Sequence, residues 1–268
     1  MINQGKRNVL GVLVDVVDYD AATAAVLAAA REHRPLALTA LAVHGVMTGV
    51  HDRHQGARLN GFDVVTPDGQ PVRWALNLLH RAGLADRVYG PTLTLRVLAG
   101  CADEGLPVYF YGSTEETLNR LVARLQSVFP ALKVVGAEPS KFRTARPGED
   151  LEIAARIRNS GARLTLVGLG CPRQEVFAFV MRPLLDMPLM AVGAAFDYHA
   201  GSLRQPPAWM QRYALEWFWR LTQDPGRLWR RYLLLNPAYL ARLAAQRSGL
   251  WRARPAAPAT RRPANFPV

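Results

Sequence analysis

Short apolar runs and amphipathic segments alternate along the first two hundred residues of the chain. The apolar runs have strand length and lie at residues 8–16, 36–42, 64–65, 106–111, 132–137, 164–168 and 189–192. Between them lie segments with helical spacing of apolar residues, for example Val72, Leu76 and Leu79, as in amphipathic helices. Because strands and helices alternate repeatedly, we predict an α/β fold with a mostly parallel sheet covered by helices on both faces.

The pattern changes beyond residue 203, where aromatic and basic residues replace this alternation and a helical segment breaks near residues 224–226. We therefore predict an α/β body at 1–203, a basic aromatic helical appendage at 204–250 and a disordered Pro/Ala/Arg tail at 251–268. Aromatic residues mixed with arginines are typical of a helix in a membrane interface. An ordinary helical hairpin packed on the sheet, with its arginines solvated, is the alternative, and both interpretations can be true.

The charge of the chain is concentrated at this C-terminal end. The net charge at pH 7 is +12, and residues 201–268 contain twelve arginines, no lysine and two acidic residues. Such asymmetry favours an anionic partner, which can be a membrane surface, a phosphorylated substrate or a nucleic acid. The 268 residues, half of them hydrophobic, suffice for one large α/β domain with an appendage.

Cysteine use and the lengths of the apolar runs predict a cytoplasmic protein. Cys101 and Cys171 are far apart and belong to no metal-spaced cluster, so we interpret them as reduced thiols. Acidic residues interrupt the apolar run at 9–14 too early for a secretory signal. Because no apolar run approaches the ~20 residues that span a bilayer, we expect a protein that is soluble or lies on a surface.

Asp68 is the first candidate for chemistry. It lies in the turn 66–69, between a short predicted strand and a predicted helix, which is where open α/β sheets bind their ligands. A carboxylate at this position can act as a general base on a substrate hydroxyl. It can equally cap the following helix by accepting hydrogen bonds from backbone N–H groups.

The second candidate is the glycine turn after the strand at 164–168. Gly168 and Gly170 match half of a dinucleotide-binding fingerprint, but Arg173 occupies the place of the third glycine, so a nicotinamide interpretation is weak. The N-terminus of the following helix still offers free N–H groups and a positive dipole to a phosphate, and Arg173 and Gln174 add donors. A purely structural strand-to-helix turn is the alternative.

The remaining candidates are weaker. A capping box from Ser113 to Glu116 fully explains the glycine turn that precedes it. Arg87 could reach the same cleft, although an isolated arginine is usually a surface residue. His51 and His54 are three residues apart, but no third ligand follows, so we predict no metal site.

Several longer motifs occur in a fixed order and carry a resemblance to a known family. They are TPDGQPVRW at 66–74, RVYG at 87–90, YFYG at 109–112, VGLGCPRQE at 167–175, GAAFDYHAG at 193–201, PAWMQR at 207–212, LEW at 215–217 and RRY at 230–232. With these motifs, which cover roughly residues 8–240, the chain resembles the WecG/TagA/CpsF family of bacterial glycosyltransferases. So many motifs in order make the resemblance highly specific.

The resemblance implies an inverting, metal-independent glycosyltransferase that needs no cofactor. The enzyme would move a sugar from a nucleotide donor, usually a UDP-sugar, to a polyprenyl-diphosphate-linked sugar in exopolysaccharide or cell-envelope polymer synthesis. A Rossmann-like domain would carry the site, and the C-terminal appendage would complete it at an anionic membrane surface. The protein would then be cytoplasmic and peripheral on the inner face of the cytoplasmic membrane.

The resemblance also assigns roles to individual residues. It makes Asp68 the catalytic base. The residues assigned to donor binding are Thr39, Arg87, Gly168, Gly170, Arg173, Gln174 and Glu175. The residues assigned to the acceptor and its diphosphate are Arg220, Arg227 and Arg230.

One departure from the family concerns an asparagine that usually follows the threonine corresponding to Thr39. Residues 40–44 contain no asparagine here. The missing amide could mean an altered choice of donor, weaker activity or replacement by His44. The departure affects a substrate contact and not the predicted fold.

Two other functions remain open from the residues alone. A non-enzymatic basic α/β protein could bind nucleic acid or an anionic membrane surface through its tail, but a Trp-rich, lysine-free tail resembles no nucleic-acid module. We therefore expect no nucleic-acid partner. A nicotinamide oxidoreductase is disfavoured by Arg173. An exposed aromatic appendage could also pack between subunits, so a homo-oligomer is possible.

Overall fold

The helices and strands alternate along the body, as the sequence predicts. The computed structural model of the protein describes residues 1–260, 263 and 265–268, with the side chains at 208, 227 and 231 outside that description. The strands are β1 (Asn3–Val9), β2 (Val12–Val17), β3 (Leu36–Leu41), β4 (Val64–Pro67), β5 (Val108–Gly112), β6 (Val134–Glu138), β7 (Leu164–Gly168) and β8 (Pro188–Ala191). The helices of the body are α1 (Tyr19–Arg31), α2 (Val43–His51), α3 (Arg53–Asn60), α4 (Gln70–His80), α5 (Gly90–Glu104), α6 (Glu115–Val128), α7 (Glu149–Asn159), α8 (Arg173–Met181) and α9 (Ala195–Ala200).

A six-stranded sheet forms the centre of the body. Its strands follow the order β4-β3-β8-β7-β5-β6, and every neighbouring pair is parallel. Thr39 on β3, for example, lies opposite Val65 on one side and Ala191 on the other. Because the strands are parallel, their carboxyl ends meet at one edge of the sheet. The α/β fold with a parallel sheet is confirmed and is consistent with a Rossmann-like arrangement.

Two hydrophobic clusters cover the two faces of this sheet. One cluster contains apolar residues of β1, β2, α2, α4, α7 and α8, and the other contains residues of α1, α5, α6 and α9. The strands between them are rich in Val, Leu and aromatic residues because both of their faces are buried. The prediction of helices on both faces is therefore confirmed.

The N-terminal segment differs from its prediction. In place of one strand at 8–16, β1 and β2 form an antiparallel hairpin that is separate from the main sheet. Leu10 and Gly11 make the turn between them, with φ angles of 56° and 93°. Positive φ at both central residues is the geometry of a two-residue hairpin turn, and Gly11 accommodates it without strain.

The appendage consists of three helices, α10 (Ala208–Arg212), α11 (Glu216–Gln223) and α12 (Pro225–Arg247). The break between α11 and α12 falls near residues 224–226, as predicted. From there α12 runs back across the body, where the hydroxyl of Tyr239 donates to the carbonyl oxygen of Pro71 at 3.1 Å. Among the described residues, no helix combines the length and the apolarity that a bilayer crossing requires.

The described residues of the tail contact the body, and the disorder predicted for 251–268 stays a prediction. The side chain of Asn8 donates to the carbonyl oxygen of Ala253 at 2.6 Å, and the backbone N–H of Ala259 donates to the carbonyl oxygen of Ala57 at 2.9 Å. Phe266 and Val268 are buried in the hydrophobic cluster that contains α8. Two apolar residues at the end of a Pro/Ala/Arg-rich tail thus pack into the core of the body. The division at 203 and 250 stays a prediction.

Candidate active site

A cleft of about 600 Å³ opens at the carboxyl edge of the sheet, a size that suits a small-molecule ligand. The loops after β3, β4, β7 and β8 form its floor. Residues Ala214, Glu216, Trp217, Arg220, Tyr232, Leu235 and Asn236 of the appendage close one of its sides. The cleft therefore lies between the body and the appendage.

Asp68 follows β4 directly and lies in this cleft. Its Oδ1 accepts a hydrogen bond from the backbone N–H of Gly90 at 2.6 Å. Gly69, and not Asp68, is the N-cap residue of α4. The carboxylate thus does not cap the helix that follows it and binds the first residue of α5 instead.

Burial raises the pKa of Asp68 to about 6. The positive charge of Arg87, the hydrogen bond from Gly90 and the more distant Arg220 oppose this rise, whereas Glu216 adds to it. At neutral pH the carboxylate is mostly ionised, yet its pKa is close enough to the working pH for proton transfer. A carboxylate in a cleft with a raised pKa is a candidate general base.

Arg87 connects the body to the appendage. Its Nη1 donates to Oε2 of Glu216 at 2.6 Å, its Nη2 also bonds the Glu216 carboxylate, and its guanidinium lies 4.2 Å from the centroid of the Tyr89 ring. Burial opposes the charged form of Arg87, but the paired carboxylate outweighs burial and raises the pKa of Arg87. The sequence places Arg87 at the cleft but gives no hint of this partner.

Arg220 contributes a second positive charge on the appendage side. It lines the cleft and is close enough to Asp68 to lower the pKa of that carboxyl. Among the described residues its side chain forms no hydrogen bond or ion pair, unlike Arg87. The aromatic residues Tyr89, Tyr198 and Tyr232 line the same end of the cleft. This end offers a cation and aromatic ring faces beside Asp68.

The glycine turn after β7 forms another part of the cleft. Gly170 has a φ of 76° with open space around its Cα, and the backbone N–H of Gln174 donates to its carbonyl oxygen at 3.0 Å. Arg173 and Gln174 belong to the first turn of α8 and line the cleft together with Gly168. A phosphate placed at this turn would meet backbone N–H groups and the positive end of a helix.

Gln174 is buried but has unused hydrogen-bonding capacity. Its Nε2 donates to Oε1 of Glu175 at 3.0 Å, whereas its Oε1 has no partner among the described residues. A Cβ added to Gly193 would lie 2.7 Å from that Oε1. Because buried polar atoms are normally paired, the free oxygen at the cleft marks a place for a donor group on a ligand.

Thr39 and Glu175 lie behind the cleft and do not line it. Both are fully buried, and the hydroxyl of Thr39 donates to Oε1 of Glu175 at 3.0 Å. Burial raises the pKa of Glu175, against the hydrogen bonds from Gln174, Thr39 and Cys171. Thr39 and Glu175 thus lie behind Gln174 and outside the lining of the cleft. Their predicted role in donor binding stays a prediction.

The two remaining arginines of the predicted acceptor site have different positions. Arg230 is exposed on α12, where its guanidinium lies 5.2 Å from the centroid of the Trp229 ring, and it does not line the cleft. The side chain of Arg227 lies outside the described residues. Of the three arginines, the structure therefore brings Arg220 into the cleft.

Several helices begin around the cleft. Residues at or next to the first turns of α2, α4, α6, α8 and α9 line it, namely Val43, Gly69, Thr114, Arg173 and Ala194. Helix N-termini carry partial positive charge, which adds to the charges of Arg173 and Arg220, whereas the charge of Arg87 is paired with Glu216. The cleft therefore suits an anionic ligand such as a diphosphate. Leu41 and His44 line the cleft in the region of the missing asparagine.

Among the residues that line the cleft without a role predicted from the sequence, four are relevant to the contacts described here. They are Phe142, Gly193, Tyr198 and Glu216. Gly193, Tyr198 and Glu216 lie within motifs that carry the family resemblance, and these motifs could have pointed to them. No sequence pattern singles out Phe142. Within the part of the chain that the structure describes, no group of three His, Cys, Asp or Glu residues could hold a metal ion. Metal independence stays a prediction.

Comparison with known proteins agrees with these features. A sequence model described as "Glycosyl transferase WecG/TagA/CpsF family" matches residues 7–253. A protein of Bacillus spizizenii named N-acetylglucosaminyldiphosphoundecaprenol N-acetyl-beta-D-mannosaminyltransferase is 29% identical over 185 residues, which are 69% of either sequence. The family match spans the body and the appendage and ends before the last part of the tail.

Proposed function

The chain belongs to the WecG/TagA/CpsF family of glycosyltransferases, and we propose that it transfers a sugar from a UDP-sugar to a polyprenyl-diphosphate-linked sugar with inversion and without a metal ion. The name of the Bacillus spizizenii relative describes an N-acetylmannosaminyl transfer to a diphosphoundecaprenol-linked N-acetylglucosamine. We propose the same class of acceptor for this enzyme and N-acetylmannosamine as the first donor sugar to test.

The observation that carries the proposal is the position of Asp68. Its carboxylate lies in a cleft bounded by Arg87, Arg220 and the first turn of α8, with one oxygen bound to Gly90. A base beside a set of positive groups is what a sugar transfer requires, because the acceptor hydroxyl must lose a proton while the donor diphosphate departs as an anion.

This geometry supports the following reaction. Asp68 accepts the proton of the acceptor hydroxyl as that oxygen forms a bond to the anomeric carbon of the donor sugar. The bond between the anomeric carbon and the diphosphate oxygen breaks, and UDP leaves with the electron pair. Attack from the face opposite the leaving group inverts the anomeric centre. Inversion of an α-linked donor gives a β-linked product, as in the name of the relative.

The donor diphosphate lies at the glycine turn, where Gly170, Arg173 and Gln174 supply backbone and side-chain donors. The free Oε1 of Gln174 accepts a hydrogen bond from the donor. Arg173 and the helix N-termini stabilise the negative charge that develops on the departing diphosphate, a role that a metal ion often has in such transfers. Arg220 faces the diphosphate of the acceptor from the appendage side.

The appendage brings the enzyme to the membrane that holds the acceptor. Its exposed large apolar residues are Trp209, Tyr213, Phe218, Trp229, Leu233, Leu234 and Leu240. Together with exposed arginines such as Arg230, they form a surface suited to the interface of an anionic membrane. We propose that the enzyme is peripheral on the inner face of the cytoplasmic membrane, in the synthesis of an exopolysaccharide or another envelope polymer.

A donor screen tests this function. Purified enzyme is incubated with a panel of UDP- and GDP-sugars and a short-chain polyprenyl-diphosphate N-acetylglucosamine acceptor, and the lipid product is identified by mass spectrometry. Transfer from one UDP-sugar without added divalent metal, retained in EDTA, supports the proposal. Transfer that needs a divalent metal would contradict the metal-independent mechanism. Transfer from GDP-sugars alone would contradict the proposed UDP-sugar donor.

A further inference from the structure

The end of the tail pairs with a loop that reaches the cleft. We call residues 139–148, between β6 and α7, the Phe142 loop. Pro267 forms an antiparallel bridge with Thr144. The backbone N–H of Ala145 donates to the carbonyl oxygen of Phe266 at 2.8 Å, and the backbone N–H of Val268 donates to the carbonyl oxygen of Arg143 at 3.0 Å. The tail therefore adds a short extended strand to this loop.

Apolar contacts hold this strand in place. Phe266 and Val268 are buried, and the ring of Phe266 lies 6.3 Å from that of Phe177 on α8, which stacks on Tyr111 at 4.3 Å. Because the first turn of α8 carries Arg173 and Gln174, the tail packs against the helix that forms the glycine-turn side of the cleft.

One hydroxyl joins the tail, the loop and α8. The Oγ of Ser140 donates to the carbonyl oxygen of Val268 at 2.9 Å and accepts from the backbone N–H of Phe142 at 3.1 Å. The Nη2 of Arg173 lies 3.5 Å from the same oxygen. On the other side of the loop, Arg143 makes two hydrogen bonds of 2.7 Å to the buried carboxylate of Glu149.

These contacts keep Phe142 in an unusual conformation. Phe142 has a φ of 51°, lines the cleft and is 60% exposed. A bulky residue with positive φ persists only where its surroundings hold it. An exposed aromatic ring at the rim of a ligand cleft, 5.8 Å from the guanidinium of Arg173, offers a flat face on which a nucleobase can stack.

We propose that residues 266–268 are a positioning segment that holds the Phe142 ring where it stacks on the base of the nucleotide donor. The inference rests on the proposed function, since it takes the donor to be a nucleotide. The segment lies outside residues 7–253, which the family model matches.

The test measures UDP binding by isothermal titration calorimetry in Phe142→Ala, Phe266→Ala and the double variant. We expect each single variant to bind UDP about tenfold more weakly, the size of one lost base–aromatic contact, and the double variant to bind no more weakly than either one. Such non-additivity shows that Phe266 acts through Phe142. Asn265→Ala, which changes an exposed neighbour, is the matched control and keeps wild-type affinity.

Loss of the core contact could unfold Phe266→Ala, so two further variants are included. Phe266→Leu retains an apolar side chain and should restore most of the affinity, whereas Ser140→Ala removes the hydroxyl that joins the tail to the loop and should weaken UDP binding. Steady-state kinetics should show a raised KM for the donor with an unchanged KM for the lipid acceptor. Unchanged UDP binding in Phe266→Ala and Ser140→Ala, or additive effects in the double variant, overturns the inference.

Hydrogen exchange separates this inference from the proposed function. In the absence of any ligand, backbone amides of residues 140–146 should exchange faster in Phe266→Ala than in wild type or Asn265→Ala. If the wild-type enzyme does not bind UDP, the donor assignment is wrong, and faster exchange still supports the positioning of the loop. Unchanged exchange in these amides overturns the positioning role whatever the ligand.

Discussion

Arg87 and Glu216 are 129 residues apart in the sequence, and the guanidinium of one is bound by the carboxylate of the other through both of its terminal nitrogens. Arg87 also donates to Oε1 of Gln211 at 3.3 Å. Only 5% of the Arg87 side chain and 18% of the Glu216 side chain are exposed. The pair therefore fixes the appendage to the body beside Asp68.

Glu216→Gln should weaken this connection. Removing one member of a buried ion pair is destabilising by roughly 3–5 kcal/mol, because the other charge stays buried without its partner. We expect faster hydrogen exchange in α11 and a lower kcat on the lipid acceptor. Glu104→Gln, which breaks the more exposed pair with Arg31, is the control and should have little effect. Wild-type exchange and turnover in Glu216→Gln would show that the pair does not hold the appendage.

Asp68→Asn should abolish most of the activity without unfolding the enzyme. A positioned base contributes about 10²–10⁴ in rate, so kcat should fall by that factor, while Asp103→Asn on the surface keeps full activity. Near-normal turnover in Asp68→Asn would mean that another group accepts the proton.

The same variant should be more stable at neutral pH. The pKa of Asp68 is about 6 in the folded enzyme, against an ordinary value of 3.8 for an aspartate, so ionisation opposes folding as the pH rises from about 4 to about 6. The free energy of unfolding of Asp68→Asn should therefore exceed that of the wild type by roughly 1–2 kcal/mol at pH 7, with screening by solvent in the cleft taken into account. At pH 4 the two should differ little. Urea unfolding at the two pH values measures this. An equal effect at both values would contradict a raised pKa.

The pH dependence of kcat/KM should have an acid limb with a midpoint near 6, since Asp68 with a pKa of about 6 must be ionised to accept a proton. Glu216→Gln should move this limb to lower pH. It removes a negative charge that raises the pKa of Asp68 and frees the Arg87 charge that lowers it. Stopped assays with a saturating acceptor from about pH 4.5 to about pH 8, in steps of about half a unit, locate the limb. A limb that stays in place in the variant would argue against Asp68 as the titrating group.

Gly193→Ala should raise the KM for the donor about tenfold, the effect of one displaced hydrogen bond in a buried site. The added methyl group would lie 2.7 Å from Oε1 of Gln174 and displace that side chain from the cleft. Gly83→Ala is the matched control, because Gly83 also has a positive φ of 68° but open space around it. Gly83→Ala should lower stability slightly and leave KM unchanged. If the two variants behave alike, backbone strain and not Gln174 explains the effect.

Removing apolar side chains from the appendage should weaken membrane binding. Trp229 and Leu233 lie one turn apart on α12 and are exposed, so Trp229→Ser/Leu233→Ser should reduce binding to anionic vesicles by about tenfold or more. Trp74→Ser/Leu78→Ser removes an equally spaced exposed pair from α4 and serves as control. Vesicle flotation measures both. Equal losses in the two variants would contradict an interface centred on the appendage.

Much of this architecture was predictable because it depends on local patterns. Strand-length apolar runs and helical spacing identified the parallel α/β body, and the carboxyl ends of its strands place Asp68, Gly168 and Gly170 at one cleft. The N-terminal hairpin was not predicted, since a turn at Leu10 and Gly11 inside an apolar run resembles a continuous strand. The side chain of Thr39 points to the buried Glu175 and does not line the cleft, which strand periodicity alone did not reveal.

The sequence by itself determined the α/β class, the edge of the sheet that carries the site and the identity of the carboxylate at its centre. Only the tertiary structure decided that Glu216 pairs with Arg87, that Gln174 is oriented by Glu175, and that the tail packs against the Phe142 loop. The physical reason is the range of the interactions. Local spacing determines secondary structure, whereas these contacts join segments far apart in the chain, and their stability depends on burial and charge complementarity that exist only once the chain is folded.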